Sequence, residues 1–185
     1  MKKWKLLDKK LLIDTPMFDM YRYHLLHSEK KTEHNFFIIE TYDWVNVIPI
    51  TKKGEIVLIR QYRAGSDSIS LEIPGGVMDL ETSPIIAAKR ELEEETGYIN
   101  GTYEVLGHAF PNPAFLKNKI YFVLAKDVEP LGHTNFDPSE YIEKELIPLS
   151  QVPELINKGK IRHALTITAF VYLAINGYCE FNFKI

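Results

Sequence analysis

Cysteine is nearly missing from this chain: its 185 residues include one, Cys179. No intrachain disulfide can form, so a packed core must hold the fold, and a reducing compartment is expected. Long apolar runs are missing as well, and no stretch is long enough to cross a bilayer as a helix. The opening MKKWKLLDKK is too charged for the apolar centre of a secretory signal. A soluble, cytoplasmic protein without a membrane partner is therefore expected. Excess basic charge is lacking too: 22 Lys and Arg against 25 Asp and Glu leave a formal charge of −3. That argues against a broad electrostatic grip on nucleic acid, but not against a small phosphorylated ligand held through a metal. The six histidines show no metal-ligand spacing, and neither internal repeats nor low-complexity segments occur.

What is present is an ordinary globular composition, 45% hydrophobic and 25% charged, of a size that suits one domain or one domain with an extension. Residues 4–14, 17–27 and 34–41 read as three strands, with a charged hairpin turn at 28–33. Three strands make a poor independent unit unless one face is covered. Residues 1–43 therefore read as an N-terminal antiparallel β extension that needs cover, and 44–185 as the main domain. Strands are expected at 44–50, 55–62, 101–109, 119–125 and 143–149. A polar loop is expected at 65–70, and an acidic loop at 126–139. Helices are expected at 84–96, from a Ser150 cap to about 158, and at 161–175. The last is apolar nearly all round and is expected to be well buried.

The densest signal runs from Gly75 to Tyr98, GGVMDLETSPIIAAKRELEEETGY. Ser83 and Pro84 suit a helix N-cap and first turn, and Gly97 suits its end. On that helix Glu91, Glu94 and Glu95 share one side, Glu93 turns away, and Ala87, Ala88 and Leu92 form a buried stripe. Clustered carboxylates repel one another, and a hard divalent cation with oxygen ligands would reverse that. Pro113 lies in a Pro-Asn-Pro turn, and Glu140 and Glu143 bracket the end of the acidic loop. His163 reads as a helix-start residue and Cys179 as an inert thiol.

This segment resembles the Nudix box, G-x5-E-x7-R-E-U-x-E-E-x-G-U, where U is bulky and apolar. Gly76, Arg90, Glu91, Leu92, Glu94, Glu95 and Gly97 fall in register, and Tyr98 fills the last position loosely. Thr82 stands where the pattern has its first glutamate, with Glu81 one residue early, a departure that bears on the loop more than on the carboxylates. The runs Gln61-Tyr62-Arg63-Ala64-Gly65 and Leu71-Glu72-Ile73-Pro74-Gly75-Gly76 are similar to the ADP-ribose and nucleoside-diphosphate-sugar pyrophosphatase branch of that family.

The resemblance implies an α+β fold, an α/β/α sandwich with a mixed sheet between helices, and an N-terminal sheet that builds a homodimer. It implies Mg²⁺, with Mn²⁺ as a substitute, held by Glu91, Glu94 and Glu95 and the Gly75 carbonyl. Glu94 is either a third ligand or a base. Arg63, Glu72 and Pro113 would meet a small nucleotide sugar. Glu140, or in second place Glu143, would take the proton of the attacking water, with Asp137 as an outside candidate. Trp4, Phe18, Tyr21 and Trp44 are all possible platforms for a base. The implied reaction is hydrolysis of the pyrophosphate of a nucleoside diphosphate sugar, ADP-ribose first. Alternatives are hydrolysis of a nucleoside triphosphate, dinucleoside polyphosphate or capped RNA, and a Nudix-like sensor that binds without cleaving.

Overall fold

The computed structural model describes residues 2–80, 82–136 and 141–180. The chain divides into two compact units, Met1–Asp43 with Ala109–Ile120, and Trp44–His108 with Tyr121–Ile185.

The first unit is a four-stranded sheet in the order β1 (Lys5–Asp14), β2 (Asp19–Leu26), β3 (Glu33–Glu40) and β9 (Leu116–Lys117). β1 to β3 are antiparallel, and Tyr21 and Tyr23 in β2 and Phe36 and Phe37 in β3 are residues that favour strand. The segment 109–120, far away in sequence, belongs to this unit because of its hydrogen bonds. β9 runs parallel to β3, with Ile39 opposite Leu116, and Lys119 N–H donates to Asp43 Oδ1 at 2.7 Å. Trp4 packs edge-on against His27 and Phe36, a structural use of that ring.

The second unit is built on a sheet in the order β11 (Glu143–Pro148), β5 (Glu55–Arg63), β4 (Trp44–Thr51), β10 (Ile120–Val128) and β8 (Thr102–Ala109). Two further strands hang on it: β6 (Ser68–Glu72) pairs with β5 and β7 (Gly75–Val77) pairs with β4. Helix α1 (Pro84–Thr96) has Ser83 as N-cap, whose Oγ accepts from Ile86 N–H, and Gly97 closes it at φ +69°. Ala87, Ala88 and Leu92 are fully buried against Val45, Val47, Val57, Val123 and Ala125. Neighbouring residues on β10 point to opposite faces, and Phe122 stacks on Tyr172 of α3 (Ala164–Ile175). The sheet therefore lies between α1 and α3, the layered α+β arrangement expected.

Several local expectations are corrected. The loop expected over 65–70 is only a 3₁₀ turn at Ala64–Ser66, after which Ser68–Glu72 forms β6. Its three polar residues alternate with Ile69 and Leu71, but Ile69 is exposed, and pairing with β5 rather than burial of one face makes this segment a strand. Gly75 and Gly76 lie in β7, with Gly75 opposite Asn46. Ser150 does not cap: it lies in a 3₁₀ turn, Leu149–Gln151, and the short helix α2 (Val152–Asn157) starts behind Gln151, with Pro in its first turn. β10 runs on to Val128, into the expected acidic loop. The last helix starts at Ala164 and is not buried all round. Thr166, Ala169, Phe170 and Leu173 form its buried stripe, while Val171 and Ile175 are exposed.

Candidate active site

The buried faces of α1 explain the helix sequence. Leu92 and the alanines fix its rotation on the sheet, and that rotation turns Glu91 and Glu95 toward β7. Both carboxylates are buried, at 9% and 3% exposure, whereas Glu93 faces solvent. Gly75 N–H donates to Glu95 Oε2 at 2.8 Å. A Cβ on Gly76 would lie 2.5 Å from Glu91 Oε1, so the missing side chain is what lets that carboxylate sit against the β7 backbone. At the far end of α1, Lys144 Nζ donates to Thr96 O at 2.9 Å, a cation where the helix dipole favours one.

Arg90 organises the remaining charge. Its Nη1 donates to Glu94 Oε2 at 2.9 Å, and its Nη2 lies 2.8 Å from Glu91 Oε1 and donates to Val77 O at 3.0 Å. Asp79 stands further off, at 3.9 Å from Nε. With Thr82 in place of a glutamate, the guanidinium sits on the helix carboxylates themselves. Among the described residues no three His, Cys, Asp or Glu side chains stand in a ready metal-binding group. The pieces nevertheless fit a hard divalent cation. The donors are all carboxylate oxygens, two of them buried, beside a glycine cradle that a Cβ would fill.

A second constellation lies three residues before Gly75. Arg63 forks onto Glu72, Nε to Oε1 at 3.0 Å and Nη2 to Oε2 at 2.8 Å. Glu72 is 1% exposed. Burial works to raise its pKa, but the bonds from Arg63 and Ser70 outweigh that and hold it below the ordinary 4.5. His163 Nδ1 lies 3.6 Å from Glu72 Oε2 and 3.3 Å from Thr166 Oγ1. Burial pushes this imidazole below its ordinary 6.5, against the pull of Glu72. Thr166 is fully buried, and Ile73 N–H donates to its Oγ1 at 3.4 Å. The N-terminal end of α3 is thereby tied to the strand segment that leads into Gly75.

The structure thus brings together Gly75, Glu91, Glu94 and Glu95, and separately Arg63 with Glu72. Glu143 is exposed at the start of β11, opposite Arg60. Glu140 and Asp137 lie outside the described residues. Pro113 lies in the first unit, in a turn where Asn112 O accepts from Phe115 and Leu116 N–H. Sequence reasoning missed Arg162, His163 and Thr166 as neighbours of Arg63 and Glu72. No spacing rule links positions a hundred residues apart, and only the seating of α3 joins them.

The family profile described as NUDIX domain matches residues 43–170. An ADP-ribose pyrophosphatase of Bacillus subtilis (strain 168) is 28% identical over 132 residues, 71% of each chain. A GDP-mannose pyrophosphatase of Escherichia coli (strain K12) is 33% identical over 146 residues, 72% of this chain and 76% of that one. A solved structure titled as an ADP compounds hydrolase superposes with a TM-score of 0.84 over 97% of this chain and 98% of that one; at 23% identity it shows the shared fold.

Proposed function

Because the chain belongs to the Nudix family, we propose that it hydrolyses the pyrophosphate bond of a nucleoside diphosphate sugar, ADP-ribose first, to a nucleoside monophosphate and a sugar phosphate. The observation that carries this reading is the pair of buried carboxylates, Glu91 and Glu95, set against the Gly75-Gly76 backbone. The names of its relatives point to the same substrate class. Nudix hydrolases generally need a divalent metal, here Mg²⁺ with Mn²⁺ as a substitute. When bound, it would neutralise the diphosphate and lower the pKa of the attacking water. Glu91 and Glu95 would hold it, with the Gly75 carbonyl. Glu94, half-buried on the same side, would be a third ligand or a base. Arg63, fixed by Glu72, would orient the substrate with a planar fork suited to phosphate oxygens. Pro113 would shape the sugar side, and Glu140, or else Glu143, would accept the water's proton.

The test is a panel of ADP-ribose, GDP-mannose, UDP-glucose, ATP and a dinucleoside polyphosphate with Mg²⁺, read by product chromatography. Cleavage of one diphosphate sugar to monophosphate and sugar phosphate is expected, and Glu94→Gln with Glu95→Gln should abolish it in a folded protein. Full activity in that double variant would sink the reading. A second reading, a sensor that binds without cleaving, draws on the seat of Arg90 upon Glu91 and Glu94. Metal-dependent binding without products would favour it.

The working form proposed is a cytoplasmic homodimer. β1 is exposed along its whole length, including Leu6, Leu11, Leu12 and Ile13, an edge and surface that a second copy would cover. Analytical ultracentrifugation at micromolar concentration should show a dimer. Among the described residues no helix is long and apolar enough to cross a membrane.

A further inference from the structure

Ile73 and Pro74 link β6 to β7 and carry the chain from Glu72 to Gly75. Side chains from two other elements hold the backbone of this link. Ile73 N–H donates to Thr166 Oγ1 of α3 at 3.4 Å, and no backbone carbonyl among the described residues takes it. Pro74 has no N–H to give. Its carbonyl accepts from Val47 N–H at 2.9 Å and from Asn46 Nδ2 at 3.5 Å. Gly75 N–H, next along, donates to Glu95 Oε2 at 2.8 Å.

Thr166 is a polar residue in an apolar place. It is fully buried, in the stripe that Ala169, Phe170 and Leu173 complete. A buried hydroxyl without a partner destabilises a fold, so a valine of the same shape would suit that stripe better unless the hydroxyl is used. Here it is used: its proton has an acceptor within reach, His163 Nδ1 at 3.3 Å, which leaves an oxygen lone pair for Ile73 N–H. Asn46 on β4 shows the same pattern. It is buried, its Nδ2 reaches Pro74 O, and its Oδ1 has no hydrogen-bond partner among the described residues. An unsatisfied buried oxygen is a cost that the fold bears while keeping an amide beside this link.

The link is also stiff. Proline locks its own φ at about −65° and confines the residue before it to extended backbone. Ile73 N, where Thr166 takes hold, and Gly75 N, which seats Glu95, are two residues apart, a span of at most about 7 Å. With so few soft dihedrals between them, a shift of Ile73 is passed on to Gly75 rather than absorbed. We infer that Thr166 is a positioning residue: through Ile73 and Pro74 its hydroxyl sets the place of the Gly75 backbone, and with it that of the Glu95 carboxylate. The inference rests on the proposed reaction for the metal that Gly75 and Glu95 would hold, whereas the position of Gly75 is a property of the metal-free protein.

The experiment compares Thr166→Val, which keeps the shape and removes the hydroxyl, with Thr166→Ser, which keeps the hydroxyl. Two quantities are read: exchange of the Gly75 amide hydrogen in metal-free protein, by nuclear magnetic resonance, and Mn²⁺ affinity, by electron paramagnetic resonance titration. In Thr166→Val the Gly75 amide should exchange at least about tenfold faster, and Mn²⁺ should bind at least about tenfold more weakly. Thr166→Ser should bring both back toward wild type. Ala169→Gly, in the same buried stripe, removes no polar group; it should lower the melting temperature and leave Mn²⁺ affinity unchanged. Thr166→Ala carries the same expectations as Thr166→Val should the valine variant not fold. Wild-type Gly75 exchange or wild-type Mn²⁺ affinity in Thr166→Val would overturn the inference. So would an equal loss of Mn²⁺ binding in Ala169→Gly, the mark of a general loosening of α3, or a failure of Thr166→Ser to recover. The expected changes in a protein that cleaves none of the panel would leave Thr166 its role and remove the proposed reaction. Cleavage of ADP-ribose by a protein whose Thr166→Val variant keeps both readouts would do the reverse.

Discussion

Gly75 and Gly76 are neighbours on one short strand, yet replacing each with alanine should give opposite kinds of damage. Neither has a positive φ, so the difference lies in what a Cβ would meet. At Gly75 it would fall 2.2 Å from Val45 O and 2.9 Å from Asn46 Cα, both backbone atoms of β4. Relief means prising β7 from β4 where Gly75 pairs with Asn46. Overpacking of this kind costs about 1–3 kcal/mol. At about 2–4 °C per kcal/mol for a protein of this size, the melting temperature should drop by roughly 2–12 °C. At Gly76 the same atom would meet only the Glu91 carboxylate, at 2.5–2.7 Å, the free end of a flexible side chain. That end can swing away, and a Gly→Ala change that fits its backbone is worth under about 1 kcal/mol through the unfolded chain. Gly76→Ala should therefore melt within about 4 °C of wild type, while its Mn²⁺ affinity falls at least about tenfold because a buried donor has left its seat. Differential scanning calorimetry without metal reads the first quantity, and electron paramagnetic resonance titration of Mn²⁺ reads the second. A larger thermal loss in Gly76→Ala than in Gly75→Ala, or wild-type Mn²⁺ affinity in Gly76→Ala, would refute the assignment of Glu91 to the metal.

Two further outcomes are expected. Glu40 is depressed to about 2 from its ordinary 4.5: burial alone would raise it, but hydrogen bonds from Lys117, Lys9 and Tyr23 outweigh that. A depressed carboxylate stabilises the fold above its unfolded pKa and loses that contribution as pH falls through its folded value. Acid titration followed by circular dichroism should thus show wild type losing its advantage over Glu40→Gln between pH 4.5 and about 2, and parallel curves would count against the network. Added Mg²⁺ should raise the melting temperature of wild type, by an amount equivalent to about 2.7 kcal/mol at a hundred times the dissociation constant. It should do so much less in Glu91→Gln with Glu95→Gln, and chelation should reverse the gain; an equal rise in that variant would place the metal elsewhere.

Much of this protein is legible from the order of its residues, because local rules govern those parts. Ser83, Pro84 and Gly97 bound α1 through capping and backbone preference. The 3.6-residue period separates Glu91, Glu94 and Glu95 from Ala87, Ala88 and Leu92, and the box spacing carries the family. The same rules failed where tertiary pairing overrides local preference. The serines of β6, expected as loop, became a strand because β5 supplied partners for their backbone. Segment 109–120 joined the first unit through a parallel pairing that no periodicity announces. Arg90 shows the limit most plainly: its pairing with Glu94 is an i,i+4 contact that the helix itself supplies, but its donation to Val77 O follows from where the helix lies against β7. Arg162 and His163 likewise met Arg63 and Glu72 only when α3 packed on the sheet. Spacing along the chain set which side chains one helix would present together. Which side chains from different elements would face one another was decided by the packing of the core, where burial rather than sequence distance sets the neighbours.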